Sequence, residues 1–156
     1  MNMGEPMALR AERTERGSPF DFNLDLVRKS DKKVVAQYLL FRPVVDRQTG
    51  DIVVMPGYHT SIETGKGYGK TLLLELQKVL SATASAAKKT VVHEPITSNE
   101  IVLRRLKRHG YLFTGVKSGA RANTLWLFRK KFEPGGPVAF GAEHRRAAKV
   151  FLSLLR

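Results

Sequence analysis

Thr64-Gly65-Lys66-Gly67-Tyr68-Gly69-Lys70-Thr71 is the segment in which chemistry is densest. Glycine at every second position leaves backbone N–H groups uncovered, and consecutive amides of that kind converge on an anion. Leu72, Leu73, Leu76, Val79, Leu80 and Ala84 follow at helical spacing, so the loop also opens a helix and gains the positive end of its dipole. Lys66 and Lys70 add two charges. The ligand such a loop fits is a phosphate or a pyrophosphate. Two histidines, His59 and His93, each end an apolar run and offer proton-transfer groups in the neutral range. Glu63 precedes the loop, Glu94 follows His93, and His109 stands at a basic helix end. No cysteine is present, which excludes disulfides, thiolate metal sites and a cysteine nucleophile.

The elements around these residues follow from periodicity. Residues 1–19 read as a flexible N-terminal arm, because Glu5 to Arg16 contain no Ile, Val or aromatic anchor. Phe20, Phe22, Leu24 and Leu26 alternate with polar residues and predict a half-buried strand. Lys29 to Lys32 make a turn, and Val34 to Phe41 predict a strand buried on both faces. Asp46 to Gly50 turn again into Ile52–His59, a third strand kinked at Pro56-Gly57. After the loop come a helix over about Gly69–Ala87 and a short strand, Thr90–His93. That order predicts a parallel pair. Ser98 or Asn99 caps a helix whose inner face is Val102, Leu103 and Leu106, with Gly110 past its end. Tyr111–Val116 and Thr124–Phe128 make a hairpin through Ser118-Gly119-Ala120. Glu133 to Pro137 form a linker. Ala147, Ala148, Phe151, Leu154 and Leu155 mark an amphipathic helix with Arg145, Arg146 and Lys149 on its polar side.

The 156 residues make one domain's length. No apolar run reaches the ~18 residues of a membrane span, nor the length of a signal peptide at the N-terminus, so a cytoplasmic protein is expected. The net charge of +13 is concentrated: residues 104–156 hold 13 basic and 2 acidic side chains. Such an excess attracts a polyanion, whether RNA, DNA or an acidic protein. Arg104, Arg105, Lys107 and Arg108 share a helix whose apolar face looks inward, so all four are expected to look outward.

Three phosphate-loop patterns compete for the glycine segment. GxGxxG fails, because Lys70 stands three residues after Gly67. GxxxxGK[ST] matches at Gly69-Lys70-Thr71 but needs glycine at Thr64, and the strands before the loop read as antiparallel. The third fits best. TGKGYGKTLLLEL resembles the acyl-CoA pyrophosphate loop of the GNAT N-acetyltransferase superfamily, R/Q-x-x-G-x-G/A before an amphipathic helix. NEIVLRRLKRHGYLFTG, Asn99 to Gly115, is similar to that family's later motif, with Gly110-Tyr111 at the matching distance from Asn99. The resemblance covers about residues 20–132, leaving 133–156 as linker and basic C-terminal helix.

The resemblance implies an α+β fold: a mixed, mostly antiparallel twisted sheet with a splayed parallel strand pair and flanking helices. It implies acetyl-CoA as co-substrate, an amine-bearing acceptor and no metal. Gly65, Lys66, Gly67, Tyr68, Gly69 and Lys70 would hold the pyrophosphate, largely through backbone, and Asn99 would line the thioester end. His59 and then His93 are the candidate bases. The family's Arg/Gln is Thr64 here, and its frequent tyrosine seven residues after the Asn is Leu106. The family also has two helices between its first two strands, whereas the segment Lys29–Lys32 is too short for either, which implies an open cleft. Two readings follow: an N-acetyltransferase acting on the amine of a macromolecular acceptor, or a non-catalytic module of the same fold in a polyanionic assembly.

Overall fold

In the computed structural model, which describes residues 5–120 and 123–155, ten strands and three helices alternate along the described chain. They run β1 (Met7–Arg13), β2 (Phe22–Arg28), β3 (Lys33–Leu40), β4 (Val44–Val45), β5 (Ile52–Val54), β6 (Tyr58–Ser61) and α1 (Tyr68–Ala87). After these come β7 (Val91–His93), β8 (Ile96–Thr97), α2 (Glu100–Arg108), β9 (Leu112–Ser118), β10 (Thr124–Phe132) and α3 (Ala142–Leu152).

β1, β2, β3 and β6 lie antiparallel in that order. The second sheet has the order β4-β5-β7-β10-β8, with β9 on the free side of β10. Among the described residues it holds one parallel pair, β5 with β7: Ile52, Val53 and Val54 face Val91, Val92 and His93. One more backbone bond, Glu94 N–H to the Val54 carbonyl at 3.0 Å, closes the pairing. Beyond it the strands part. Tyr58–Ser61 pair with β3, and Ile96–Thr97 pair with β10. The expected α+β architecture with a splayed parallel pair is the observed one. The break falls at Met55-Pro56-Gly57, where a Cβ on Gly57 would lie 2.1 Å from the Leu39 carbonyl oxygen. Only glycine lets the chain pass β3 that closely, so Ile52–His59 is two strands in two sheets rather than one kinked strand.

The arm expected over residues 1–19 departs further. Residues 1–4 lie outside the described residues, but 7–13 form β1, in full register with β2 from Met7↔Arg28 to Arg13↔Phe22. Its half-buried Met7, Leu9 and Ala11 pack against the core beside α3. The first two strands are therefore β1 and β2, joined by residues 14–21, and it is this link that has no helices. Turn Lys29–Lys32 joins the second strand to the third. β3 is also less buried than expected: Lys33 is exposed, and Val34, Gln37 and Leu39 are only half-buried.

α1 is buried along Leu72, Leu76, Val79, Leu80 and Ala84, the apolar stripe its sequence predicts. α3 begins at Ala142 and belongs to the same core: Phe151 is fully buried and its ring lies 4.9 Å from that of Phe22. The Gly141 N–H donates to His144 Nδ1 at 2.9 Å, so Nε2 carries the proton and donates to Glu75 of α1. A smaller core of Leu73, Leu106, Tyr111 and Phe128 holds α2 over the β9–β10 hairpin, with Trp126 packed at its side. The hairpin loop includes residues 121 and 122, which lie outside the described residues, as does Arg156 at the C-terminus. No helix among the described residues is long and apolar enough to cross a membrane.

Candidate functional site

Where β6 and β8 separate, a cavity of about 350 Å³ opens between them. β3 contributes Tyr38, β6 contributes Tyr58 and His59, β7 ends in His93, and α2 brings its N-cap Asn99 and, two turns on, Leu106 to the wall. A second cavity, about 290 Å³, lies between the glycine loop and α2, lined by Gly67, Lys70, Arg104, Arg105, Arg108 and His109, together with Ile101. Gly69 joins the two: a Cβ there would lie 2.7 Å from Arg105 Nη1 and 3.1 Å from His59 Cε1. The absence of a side chain at Gly69 lets the guanidinium and the imidazole meet beneath the loop.

The loop has the geometry of an anion cradle. Gly67 caps α1 in the left-handed region at φ 76°, with no side-chain cap and no acidic residue in the first turn. A Cβ at Gly67 would meet nothing within 4 Å, so the space beside the loop at that residue is open. The four cations Lys70, Arg104, Arg105 and Arg108 border that space. A group of charges like this one suits an anion with more than one charge.

Asn99 caps α2, its Oδ1 accepting from Ile101 N–H at 2.8 Å and Val102 N–H at 3.2 Å. His59 is stacked on Tyr38 at 4.7 Å, its cross-strand partner. Its Nε2 is buried with no hydrogen-bond partner among the described residues. Burial first, then the charge of Arg105, lowers its pKa to about 4. His93 is 1% exposed, and burial lowers its pKa to about 3. Its Nδ1 shares a 2.6 Å hydrogen bond with the Tyr111 hydroxyl. Burial raises the pKa of Tyr38 to about 12, so its hydroxyl keeps its proton.

The structure thus brings His59, His93 and Asn99 to one cavity, and Gly67 and Lys70 to the other. Gly65 and Lys66 line neither. Lys66 pairs instead with Glu63 at 3.1 Å, and Glu63 is also held by Arg28 at 2.9 Å. The Tyr68 side chain turns inward, donating its hydroxyl to Glu5 at 2.8 Å, so only its backbone faces the loop's ligand side. Arg105 corrects the outward reading of the α2 cations. Helical periodicity identifies the face packed against the hairpin, but it does not reveal that the glycine loop covers part of the other face. Tyr38 was not singled out by sequence; its position opposite His59 follows only once strand register is known.

A buried and a half-buried histidine, both with lowered pKa, have a measurable consequence. Below the usual value of 6.5 the unfolded chain takes up protons that folded His59 and His93 refuse. Their share of stability is complete above about pH 6.5 and is lost as pH falls toward 4 and 3. Urea unfolding should show a midpoint that declines across that window, with a shallower decline for His93→Gln. A midpoint that is constant from pH 6.5 to 4 would contradict the lowered pKa of both rings.

No family model and no curated protein matches this sequence, so the likeness to known proteins is structural. A ribosomal-protein-S5-alanine acetyltransferase from Vibrio fischeri superposes with a TM-score of 0.54 at 14% identity, covering 74% of this chain and 64% of that one. A GNAT-family acetyltransferase from Streptococcus pneumoniae gives 0.53 at 16%, covering 74% and 69%. An aminoglycoside N(6')acetyltransferase from Legionella pneumophila gives 0.52 at 15%, covering 74% and 65%. The chain spans a little under two thirds of the length of the first and third.

Proposed function

We propose that this chain, which has the fold of the GNAT acetyltransferase superfamily, is an acetyl-CoA-dependent N-acetyltransferase. The observation that carries the reading is the splay itself: a cavity lined by His59, His93 and Asn99 opens beside a glycine loop bordered by four cations. In this reading the backbone from Gly65 to Lys70 holds the pyrophosphate, reinforced by Lys70 and Arg105, and Asn99 lines the thioester end. Acetyl-CoA supplies an activated acetyl group; the protein positions it against an amine and excludes alternatives. His59, neutral at pH 7 with no partner for Nε2 among the described residues, stands beside Gly69 as the proton acceptor, and His93 closes the floor of the cavity.

Neighbours whose names state an acceptor include acetyltransferases of a ribosomal protein, of spermidine and of an aminoglycoside, so the likeness leaves the acceptor open. The 14–21 link in place of two helices leaves the cleft wide, which suits a macromolecular acceptor. A cytoplasmic setting goes with a need for acetyl-CoA. RNA, DNA or an acidic protein remain the polyanionic partners that residues 104–156 suit by charge. A second reading, a non-catalytic binding module, is favoured by one observation: buried Leu106 lines the cavity where the family often has a tyrosine. Release of CoA thiol from acetyl-CoA in the presence of free-amine acceptors tests the choice. Acceptor-dependent release supports the enzyme, and tight cofactor binding without release supports the module.

A further inference from the structure

β1 is the outer strand of its sheet, bonded to β2 on one side and to no strand on the other among the described residues. Its register decides which backbone groups are spent. Lys29 N–H donates to the Pro6 carbonyl at 3.0 Å and Thr14 N–H to the Asp21 carbonyl at 3.1 Å, and between these bonds the pairing runs without a bulge. Antiparallel strands bond at alternate residues. Ala8, Arg10 and Glu12 therefore bond to β2, and the N–H and C=O groups of Met7, Leu9, Ala11 and Arg13 point away from it. A seven-residue strand with neither proline nor bulge is an edge able to take another strand.

α3 lies beside this edge, and two shallow cavities of about 300 and 700 Å³ run between the two elements. Both are lined by Ala11, Arg146 and Val150, so they form one groove along residues 9–13, roughly 14 Å long at ~3.4 Å per residue. Leu9, Ala11, Ala147 and Val150 supply its apolar part. Arg13 and Lys149 line one end. The Arg13 guanidinium is held by the neutral Ser153 Oγ at 3.0 Å and keeps its charge at the groove. The acid at that end, Glu12, lies 3.5 Å from Arg10. Arg146 and Lys149 make no ion pair among the described residues.

These features separate the possible occupants. A second copy joined edge to edge would set Arg146 and Lys149 of each chain toward those of the other, in a protein of net charge +13, and like charges so placed repel. A nucleic acid answers the cations but has no donors and acceptors at the two-residue repeat of a strand. An extended polypeptide has both, and carboxylates on it would meet the cations.

We propose that an extended, acidic segment of a partner protein docks here as a fifth strand of the sheet. Its backbone bonds to Leu9, Ala11 and Arg13, and its carboxylates face Arg13, Arg146 and Lys149. The site lies at the opposite edge of that sheet from β6, which borders the transfer cavity, so the proposal stands apart from the acetyl-transfer reading.

The probe is an end-blocked eight-residue peptide of alternating Glu and Val, titrated into the full chain while amide hydrogen exchange is followed by NMR. In the free chain Ala8, Arg10 and Glu12 should be protected, and Leu9, Ala11 and Arg13 should exchange fast. The peptide should protect the second set. Replacing its Glu by Lys, or its central Val by Pro, should weaken binding at least about tenfold. Ala11→Pro should do the same with little loss of Tm, because the N–H it removes faces away from β2. Arg146→Glu with Lys149→Glu changes exposed side chains only and should also weaken binding about tenfold or more. Absence of binding, equal binding of the Lys peptide, or retained binding in either variant overturns the proposal. So does displacement of the peptide by a single-stranded RNA oligomer, or protection of Leu9, Ala11 and Arg13 that grows with protein concentration alone, the mark of a second copy on the edge.

Discussion

Arg105→Glu should lower acetyl-CoA affinity at least a hundredfold, about 2.7 kcal/mol of binding free energy. The guanidinium lies 2.7 Å from where a Cβ on Gly69 would stand, under the loop that opens α1, and Arg105 lines the cleft with Gly67 and Lys70. In the proposed reading it stands in for the arginine or glutamine that the resemblance expects at the position of Thr64. Charge reversal there removes an attraction and adds a repulsion at short range. Lys107→Glu makes the same change on the same helix, but that side chain reaches over the Phe113 ring and lines neither cavity. Its effect on affinity should stay within about threefold, the scale of a screened surface charge. Arg105→Ala combined with Thr64→Arg should recover part of what Arg105→Ala loses. Equal losses from Lys107→Glu and Arg105→Glu would mean that overall charge, not a built site, holds the cofactor.

Gly67→Val should be nearly as damaging to binding and mild for the fold. At φ 76° a β-branched residue is strained by roughly 1–2 kcal/mol, which lowers Tm by roughly 2–8 °C for a chain of this size. Its side chain would meet no protein atom within 4 Å of Cβ, so the fold has room for it and an anion over the loop does not. Calorimetry should show acetyl-CoA affinity reduced about a hundredfold or more, with the far-ultraviolet circular dichroism unchanged. Gly69→Ala behaves differently: its methyl displaces the end of a flexible arginine, and the loss should be smaller. Retained affinity in Gly67→Val would move the pyrophosphate away from the loop.

What could be read in advance divides along physical lines. The glycine loop, α1, β7, α2 and the closing hairpin were legible, because each is set by local periodicity and caps. β1 was not. Met7, Ala8, Leu9 and Ala11 are helix-forming residues, and they become a strand only because β2 offers an edge and α3 a surface to cover them. The missing helices were located one connection too late for the same reason. The break at Pro56-Gly57 was visible as an interruption, but its consequence, a strand divided between two sheets, depends on Gly57 passing the Leu39 carbonyl. In the candidate site, Gly67, Lys70, His59, His93 and Asn99 were found from motif and strand end. Arg105 and Tyr38 were not, since both reach the site through tertiary packing: one under the loop, the other across the β3–β6 register.

The central claim is that the splay and the glycine loop together form an acyl-CoA site. Isothermal titration of the chain with acetyl-CoA, repeated with ATP and at raised salt, tests it most directly. The proposal predicts one site per chain, weakened by salt because Lys70 and three arginines border the cleft beside the loop, and lost in Arg105→Glu. It predicts no competition from ATP at equal concentration. No heat with acetyl-CoA, or binding of ATP that acetyl-CoA fails to displace, would contradict it.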